Sequence, residues 1–441
     1  MPQSLMQPSR MRTILVSAAT FTALSLLPKV LVVAKDVAVA FYFGTGQALD
    51  VYLVAFVLIG MPVSIIVVAL QTTLIPALVG KPNEAAAALL GGALKLALSA
   101  LLLALPVWLL ALPYALNTLY PAAAETTRST LLQACYWLIP YYFLNGINLL
   151  LYGALQAKKT FWVNAVLPGV FPIAIIAALG YAQQADSRAL LIGTVIGSLL
   201  ECIVLYTMLT RSNAIKWRNT AGSGLRPVFI TALPLMIGTI ASSFSPMVEQ
   251  MIAFKLGPGA VSLLSYGSKV PGALSTLMVT AIGIVMLPHF ADLVAARQWR
   301  ESRTLHWLLS GILLAIGIFV AAVGIFFAEE IVRLLFQRGA FNAGDSQLAA
   351  DVMRIYLLQL PFLLAAMIST RALVAMGKTS TLTGIALLQL ALIISLAYLF
   401  SQQFGVVGVA MGTSTGALIG AGLLVWAARL GFKHQLTGSP T

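Results

Sequence analysis

The sequence predicts an all-α polytopic membrane protein of about twelve transmembrane helices, in two six-helix lobes related by a parallel pseudo-twofold repeat. Three observations predict it. Of 441 residues, 60% are hydrophobic and only 9% charged, whereas a soluble domain carries roughly 25% charged residues. Apolar runs of about 20 residues, the length that crosses a bilayer, recur from end to end. They are continuous rather than alternating, which selects helices over a barrel. Finally, the chain matches itself: Ala40-Phe41-Tyr42-Phe43-Gly44-Thr45-Gly46 aligns with Ala253-Phe254-Lys255-Leu256-Gly257-Pro258-Gly259 at an offset of 213, which also sets Asp36 opposite Glu249. An even number of spans per half makes such a repeat parallel.

In chain order the spans are expected at 13–43, 48–79, 86–112, 127–155, 161–182, 189–210, 227–254, 260–293, 305–327, 347–376, 380–402 and 405–429. The organisation is then a cytoplasmic segment 1–12, a first lobe 13–210, a basic cytoplasmic linker 211–226, a second lobe 227–429 and a cytoplasmic tail 430–441. Pro28, Pro62, Pro140, Pro168, Pro172, Pro271 and Pro361 fall inside spans and are candidate kinks. The first span is not read as a cleaved signal peptide, because it runs through Lys29 and Asp36 to Phe43 without a small-residue cleavage site. Orientation follows the positive-inside bias. Fifteen cations fall on the side that holds Arg10, Arg12, Lys158, Lys159 and Arg300, and five (Arg128, Arg188, Lys255, Arg333 and Arg338) on the other, so both termini are expected in the cytoplasm.

Several function classes drop out. The net charge of +13 is explained by cytoplasmic loops, so no nucleic-acid partner is implied. Cys135 and Cys202 lie in apolar runs, and His289, His306 and His434 are scattered, so neither a disulfide framework nor a metal site is readable. The longest connections, 211–226 and 328–346, are too short for a catalytic domain, so the chain is not read as an enzyme of lipid-sugar synthesis. Gly377-Lys378-Thr379 has the tail of a phosphate-binding loop, but Ala372 stands where its first glycine is needed. No cofactor is implied; uphill transport has to draw on the membrane potential, an ion gradient or a partner.

The chemistry is carried by charges inside spans, each of which costs at least about 2.5 kcal/mol on insertion scales. Lys29, Lys35 and Asp36 lie in the first span, Glu249 in the seventh, Lys269 in the eighth and Arg371 in the tenth. Lys29 and Asp36 are two helical turns apart and share a face. The functional reading is a polar cavity between the halves, its lysines positive toward a dianionic headgroup such as a diphosphate, with Asp36 and Glu249 holding them. The structural reading is neutral pairing, Lys35 or Lys29 with Asp36 and Lys269 with Glu249. Gly408, Gly412, Gly416 and Gly420 recur every four residues and mark a close helix contact.

These residues also carry a resemblance. Leu335-Phe336-Gln337-Arg338-Gly339-Ala340-Phe341 with Asp345 resembles the LFERGAF…D signature of the MurJ/MviN lipid II flippases, members of the multidrug/oligosaccharidyl-lipid/polysaccharide exporter superfamily. Arg371-Ala372-Leu373 with Met376-Gly377-Lys378-Thr379 is similar to the family's RAFYALGDT. Lys35-Asp36, Phe43-Gly44-Thr45-Gly46, Asp50 and Val54-Ala55-Phe56 resemble its RD…FGAG…D…VAF, and Tyr266-Gly267-Ser268-Lys269 its YADR. The resemblance implies two six-helix lobes alternating between inside-open and outside-open forms in the bacterial inner membrane. It places Lys29, Lys35 and Lys269 at positions of cavity arginines and Asp36 and Asp50 at the family's acids. Val57 replaces a basic residue, the arginines are lysines, and two further C-terminal spans of the family have no counterpart. The expected substrate is a polyprenyl-diphosphate-linked oligosaccharide, either lipid II or a repeat unit for exopolysaccharide or capsule, with cell-wall or polysaccharide-synthesis machinery as partner. A drug/cation antiporter of the same superfamily is the alternative.

Overall fold

The computed structural model describes residues 8–119, 125–182, 186–216 and 224–437. The start of the expected cytoplasmic segment, the middle of the basic linker with Arg218, and residues 438–441 lie outside the described residues. Every regular element described is helical: α1 Pro8–Phe43, α2 Gln47–Leu78, α3 Asn83–Leu119, α4 Glu125–Trp137, α5 Ile139–Ala157, α6 Phe161–Val166, α7 Val170–Ala182, α8 Ser187–Arg211, α9 Leu225–Lys255, α10 Ala260–Ala295, α11 Trp299–Phe326, α12 Ala328–Phe336, α13 Ala343–Ala375 and α14 Thr379–Thr437. Among the described residues seven helices are long and apolar enough to cross a membrane, or nine if each of two bent pairs is one span. The last of them, α14, covers the two spans expected at 380–402 and 405–429, turning at Gly405 where φ is 57°.

Breaks follow the side chains available. The α4–α5 pair bends by 44°, and Pro140, which has no N–H to give, stands in the first turn of α5. Pro168 sits in a 3₁₀ turn, Leu167–Gly169, between α6 and α7. Pro62 and Pro361, read as candidate kinks, lie within helices that continue through them. The connection 328–346 holds a helix of its own: Ala328, Val332 and Phe336 are buried at spacing four, while Glu329, Glu330 and Arg333 turn outward.

The chain divides into two compact units, 1–43 with 55–239, and 44–54 with 240–441. In the first, α8 packs on α7 and α5. Gly193 and Gly197 let the backbone of α7 approach: a Cβ at Gly193 would stand 2.8 Å from Ile175 Cα, and one at Gly197 3.0 Å from Phe171 Cα. In the second, α13 is central, packing against α10, α11, α12 and α14. The glycine stripe of the last span faces the earlier half of the same helix: Gly412 lies against Ala397, Gly416 against Ile393 and Gly420 against Gln389. A helical hairpin so close tolerates no side chain on that face.

Candidate functional site

In the first unit the candidates sit on α1. Lys35 Nζ lies 2.8 Å from Asp36 Oδ1, with Asp36 buried and Lys35 mostly covered. Lys29 is half-buried, beside Pro28, which packs near Gly169 of the 3₁₀ turn. In this unit a cavity of about 190 Å³ is lined by Lys81, Lys158, Asn83 and apolar residues such as Leu78 and Leu90. Partial burial lowers the Lys158 ammonium from its ordinary value, and the segment beside it is strapped by Lys216, whose N–H donates to the Ala87 carbonyl (3.1 Å) and whose Nζ meets Glu84 at 2.8 Å.

In the second unit Glu249 of α9 accepts from Ser245 Oγ at 3.2 Å and from the Tyr356 hydroxyl at 2.9 Å. Both carboxylate oxygens therefore meet hydroxyl donors, Ser245 from the preceding turn of the same helix and Tyr356 from α13, 107 residues on. Lys269 is half-buried on α10, two residues beyond Gly267, where a Cβ would meet Val352 and the Ala349 carbonyl of α13. Arg371 stands apart. It lies fifteen residues beyond Tyr356 on α13, roughly 22 Å along a helix axis, and its Nε is buried without a hydrogen-bond partner. The geometry thus does not bring Arg371 to the level of Glu249. Arg354 pairs with Asp351 at 2.6 Å, as suits an anchoring pair.

Asp50, which the resemblance sets among the family's acids, lies at a helix end. It is 1% exposed, and its two oxygens accept from the Gly259 N–H at 2.6 Å and the Ser262 N–H at 2.7 Å. It thereby caps the N-terminus of α10, where free N–H groups and the helix dipole favour an anion. Around it gather the segments that carried the resemblance. Thr45 Oγ1 donates to Asp345 Oδ1 at 2.6 Å, and Asp345 closes a capping box with Asn342 at the start of α13. Gly44 lies against the Ala340 backbone, and a Cβ at Gly259 would stand 2.8 Å from the Thr45 carbonyl. Tyr266 packs its ring 5.0 Å from Phe336 and 5.1 Å from Phe341. The motif residues therefore build one knot that fixes the starts of α2, α10 and α13, and Lys269 rides on α10 one turn past Tyr266.

The donors Thr45, Ser262, Ser245 and Tyr356 went unread in the sequence. The Asn342…Asp345 spacing was a legible capping-box signal, and Ser245 lies one helical turn from Glu249; the contacts of Thr45, Ser262 and Tyr356 join residues 107 to 300 positions apart.

Comparison with known proteins agrees with this architecture. The family described as Lipid II flippase MurJ matches residues 39–437. A probable lipid II flippase MurJ of Synechocystis sp. is 25% identical over 425 residues, covering 91% of this chain and 79% of the relative. The corresponding protein of Bdellovibrio bacteriovorus is 26% identical over 284 residues, 62% of this chain and 53% of the relative, and that of Burkholderia cenocepacia 24% identical over 315, covering 69% and 59%. The chain thus spans only about half to three fifths of the latter two. Among solved structures, a lipid II flippase MurJ in an inward closed conformation superposes with a TM-score of 0.76 at 19% identity, covering 95% of this chain and 90% of that one. An inward-facing multidrug transporter of the MATE family gives 0.71 at 14% identity, covering 96% and 100%.

Proposed function

The chain belongs to the lipid II flippase MurJ family, and from that premise we propose that it carries the headgroup of a polyprenyl-diphosphate-linked sugar across the bacterial inner membrane. The cargo is lipid II or a related repeat unit for exopolysaccharide or capsule, handed on to cell-wall or polysaccharide-synthesis machinery. The observation that carries the reading is the placing of Lys29, Lys35 and Lys269 within apolar helices, where an ammonium costs at least about 2.5 kcal/mol and a dianionic diphosphate is attracted alongside the partners it already has.

The barrier to be lowered is desolvation. A hydroxyl or phosphate oxygen entering hydrocarbon without a partner costs several kcal/mol, whereas the polyprenyl tail stays in lipid at no cost. Lys29 and Lys269 meet the diphosphate as point charges, while Lys35 is held by Asp36 at 2.8 Å. Those lysines are exposed alternately to the two faces of the membrane, with both termini in the cytoplasm, and any uphill step draws on the membrane potential or an ion gradient. No bond is made or broken.

Lys29→Ala and Lys269→Ala should each slow headgroup translocation at least tenfold with unchanged protein level, while Lys→Arg at either position retains it. Normal export in both alanine variants overturns the cationic reading. Raised drug susceptibility on deletion of the protein, with cell-wall and polysaccharide export intact, would instead indicate an antiporter.

A further inference from the structure

The cavity of about 190 Å³ in the first unit lies at the ends of helices and takes no part in the transport reading. Lys81 and Asn83 wall it from the α2–α3 connection, Ala86 from the first turn of α3, Lys158 from the end of α5 and Ala214 from the linker. Gly80 takes a φ of 77°, the left-handed turn that ends α2 and releases the chain toward Lys81. The linker is fastened beside the cavity. The Lys216 N–H donates to the Ala87 carbonyl at 3.1 Å, and a Cβ at Gly91 would strike the Lys216 carbonyl. The two ammonium groups have no acid to meet. Lys158 Nζ donates to the neutral Ser212 Oγ at 3.3 Å, which uses one of its three hydrogens. No acidic residue lines the cavity, and Glu84, in the first turn of α3, is taken by Lys216 at 2.8 Å. Among the described residues neither Lys81 nor Lys158 pairs with a carboxylate.

Two like charges on one cavity repel each other, and partial burial already costs Lys158 part of its hydration. An anion between them relieves both. The first turn of α3 adds to the attraction, because its leading N–H groups have no acceptor within the helix and its dipole end is positive. Lysine ammonium groups beside a helix start are a donor set suited to phosphate. The volume lies below the roughly 300–1,000 Å³ of pockets that enclose drug-sized molecules, so one small anionic group fits and a nucleotide does not. We propose that Lys81, Lys158 and the start of α3 form a binding site for a single phosphate group, on the face that the charge bias sets in the cytoplasm. That phosphate comes either from solution or from the headgroup of an acidic phospholipid in the facing leaflet. The site stands apart from the substrate assignment, because binding is read without transport. The plainer reading is that both lysines serve only to orient the chain. Lys159 separates the two: it is an exposed cation next in sequence, turned away at a φ of 60°, and does not line the cavity.

The test has two arms. One is equilibrium binding of ³²P-labelled inorganic phosphate to the purified full chain in phosphatidylcholine nanodiscs, with gluconate as the balancing anion. The other is native mass spectrometry of the detergent-solubilised chain titrated with phosphatidylglycerol, with phosphatidylcholine as the reference lipid. The expected result, in at least one arm, is saturable binding that is weakened several-fold in Lys81→Ala and in Lys158→Ala, at least tenfold in the double variant, and not at all in Lys159→Asn. Saturation by inorganic phosphate assigns a soluble source, and saturation by phosphatidylglycerol alone assigns a lipid headgroup. Both cavity lysines are exposed, so their replacement leaves the core intact. No saturable binding in either arm overturns the proposal, as does binding that the double variant leaves unchanged. Equal weakening in Lys159→Asn and Lys158→Ala also overturns it, because a diffuse basic surface would then account for the binding.

Discussion

Asp50 and Glu201 are both buried carboxylates within apolar helices, 1% and 8% exposed, yet their surroundings differ in kind. Asp50 meets two backbone N–H groups at 2.6 and 2.7 Å, so its negative charge is answered by a helix end. Glu201 has one backbone donor, the Phe171 amide, and stands near the Tyr152 hydroxyl, which has no other partner. A carboxylate answered by two backbone donors is part of the frame; one answered by a single backbone amide is held less firmly. Burial alone separates the two poorly, and the inventory of donors separates them well.

Three substitutions sharpen that contrast. Asp50→Ala should have the largest effect, because it strips two charge-assisted bonds and orphans two N–H groups; the expected loss is about 3 kcal/mol or more, read as a lower denaturation midpoint in detergent and reduced yield. Gly259→Ala comes next. Its φ of 90° strains an L residue, and the new Cβ would stand 2.8 Å from the Thr45 carbonyl, for a loss of roughly 1–3 kcal/mol. Smallest is Glu201→Gln, expected within about 0.5 kcal/mol of the unmodified chain, since the amide oxygen can keep the Phe171 backbone bond while the buried charge is removed. A Glu201→Gln chain destabilised as far as Asp50→Ala would erase the distinction.

Much of the fold was legible because lipid makes composition and run length decisive. The expected break between 402 and 405 coincides with the turn at Gly405, and the four-residue glycine spacing marked a real close contact. The α12 helix was hidden because nine residues fall short of a span, although Ala328, Val332 and Phe336 already carried its four-residue period. The site was less legible. Charges inside spans stood out, but a residue type does not reveal its partners. Asp50 meets groups 209 and 212 residues away, and Tyr356 meets Glu249 across 107. Glu201 is a further charge inside a span, and its neighbours on α5 and α7 are set by packing that no spacing reveals.

The central claim is that the chain moves a lipid-linked diphosphate sugar across a bilayer without altering it. The direct measurement reconstitutes the purified protein into liposomes holding fluorescent lipid II or a polyprenyl-diphosphate oligosaccharide in the inner leaflet. An impermeant sugar-modifying enzyme outside then reports arrival. The account predicts that the inner pool becomes accessible at least tenfold faster than in empty liposomes, and that Lys29→Ala and Lys269→Ala return the rate toward the empty value. Equal rates with and without the protein for both substrates, under an imposed membrane potential and sodium gradient, would contradict it.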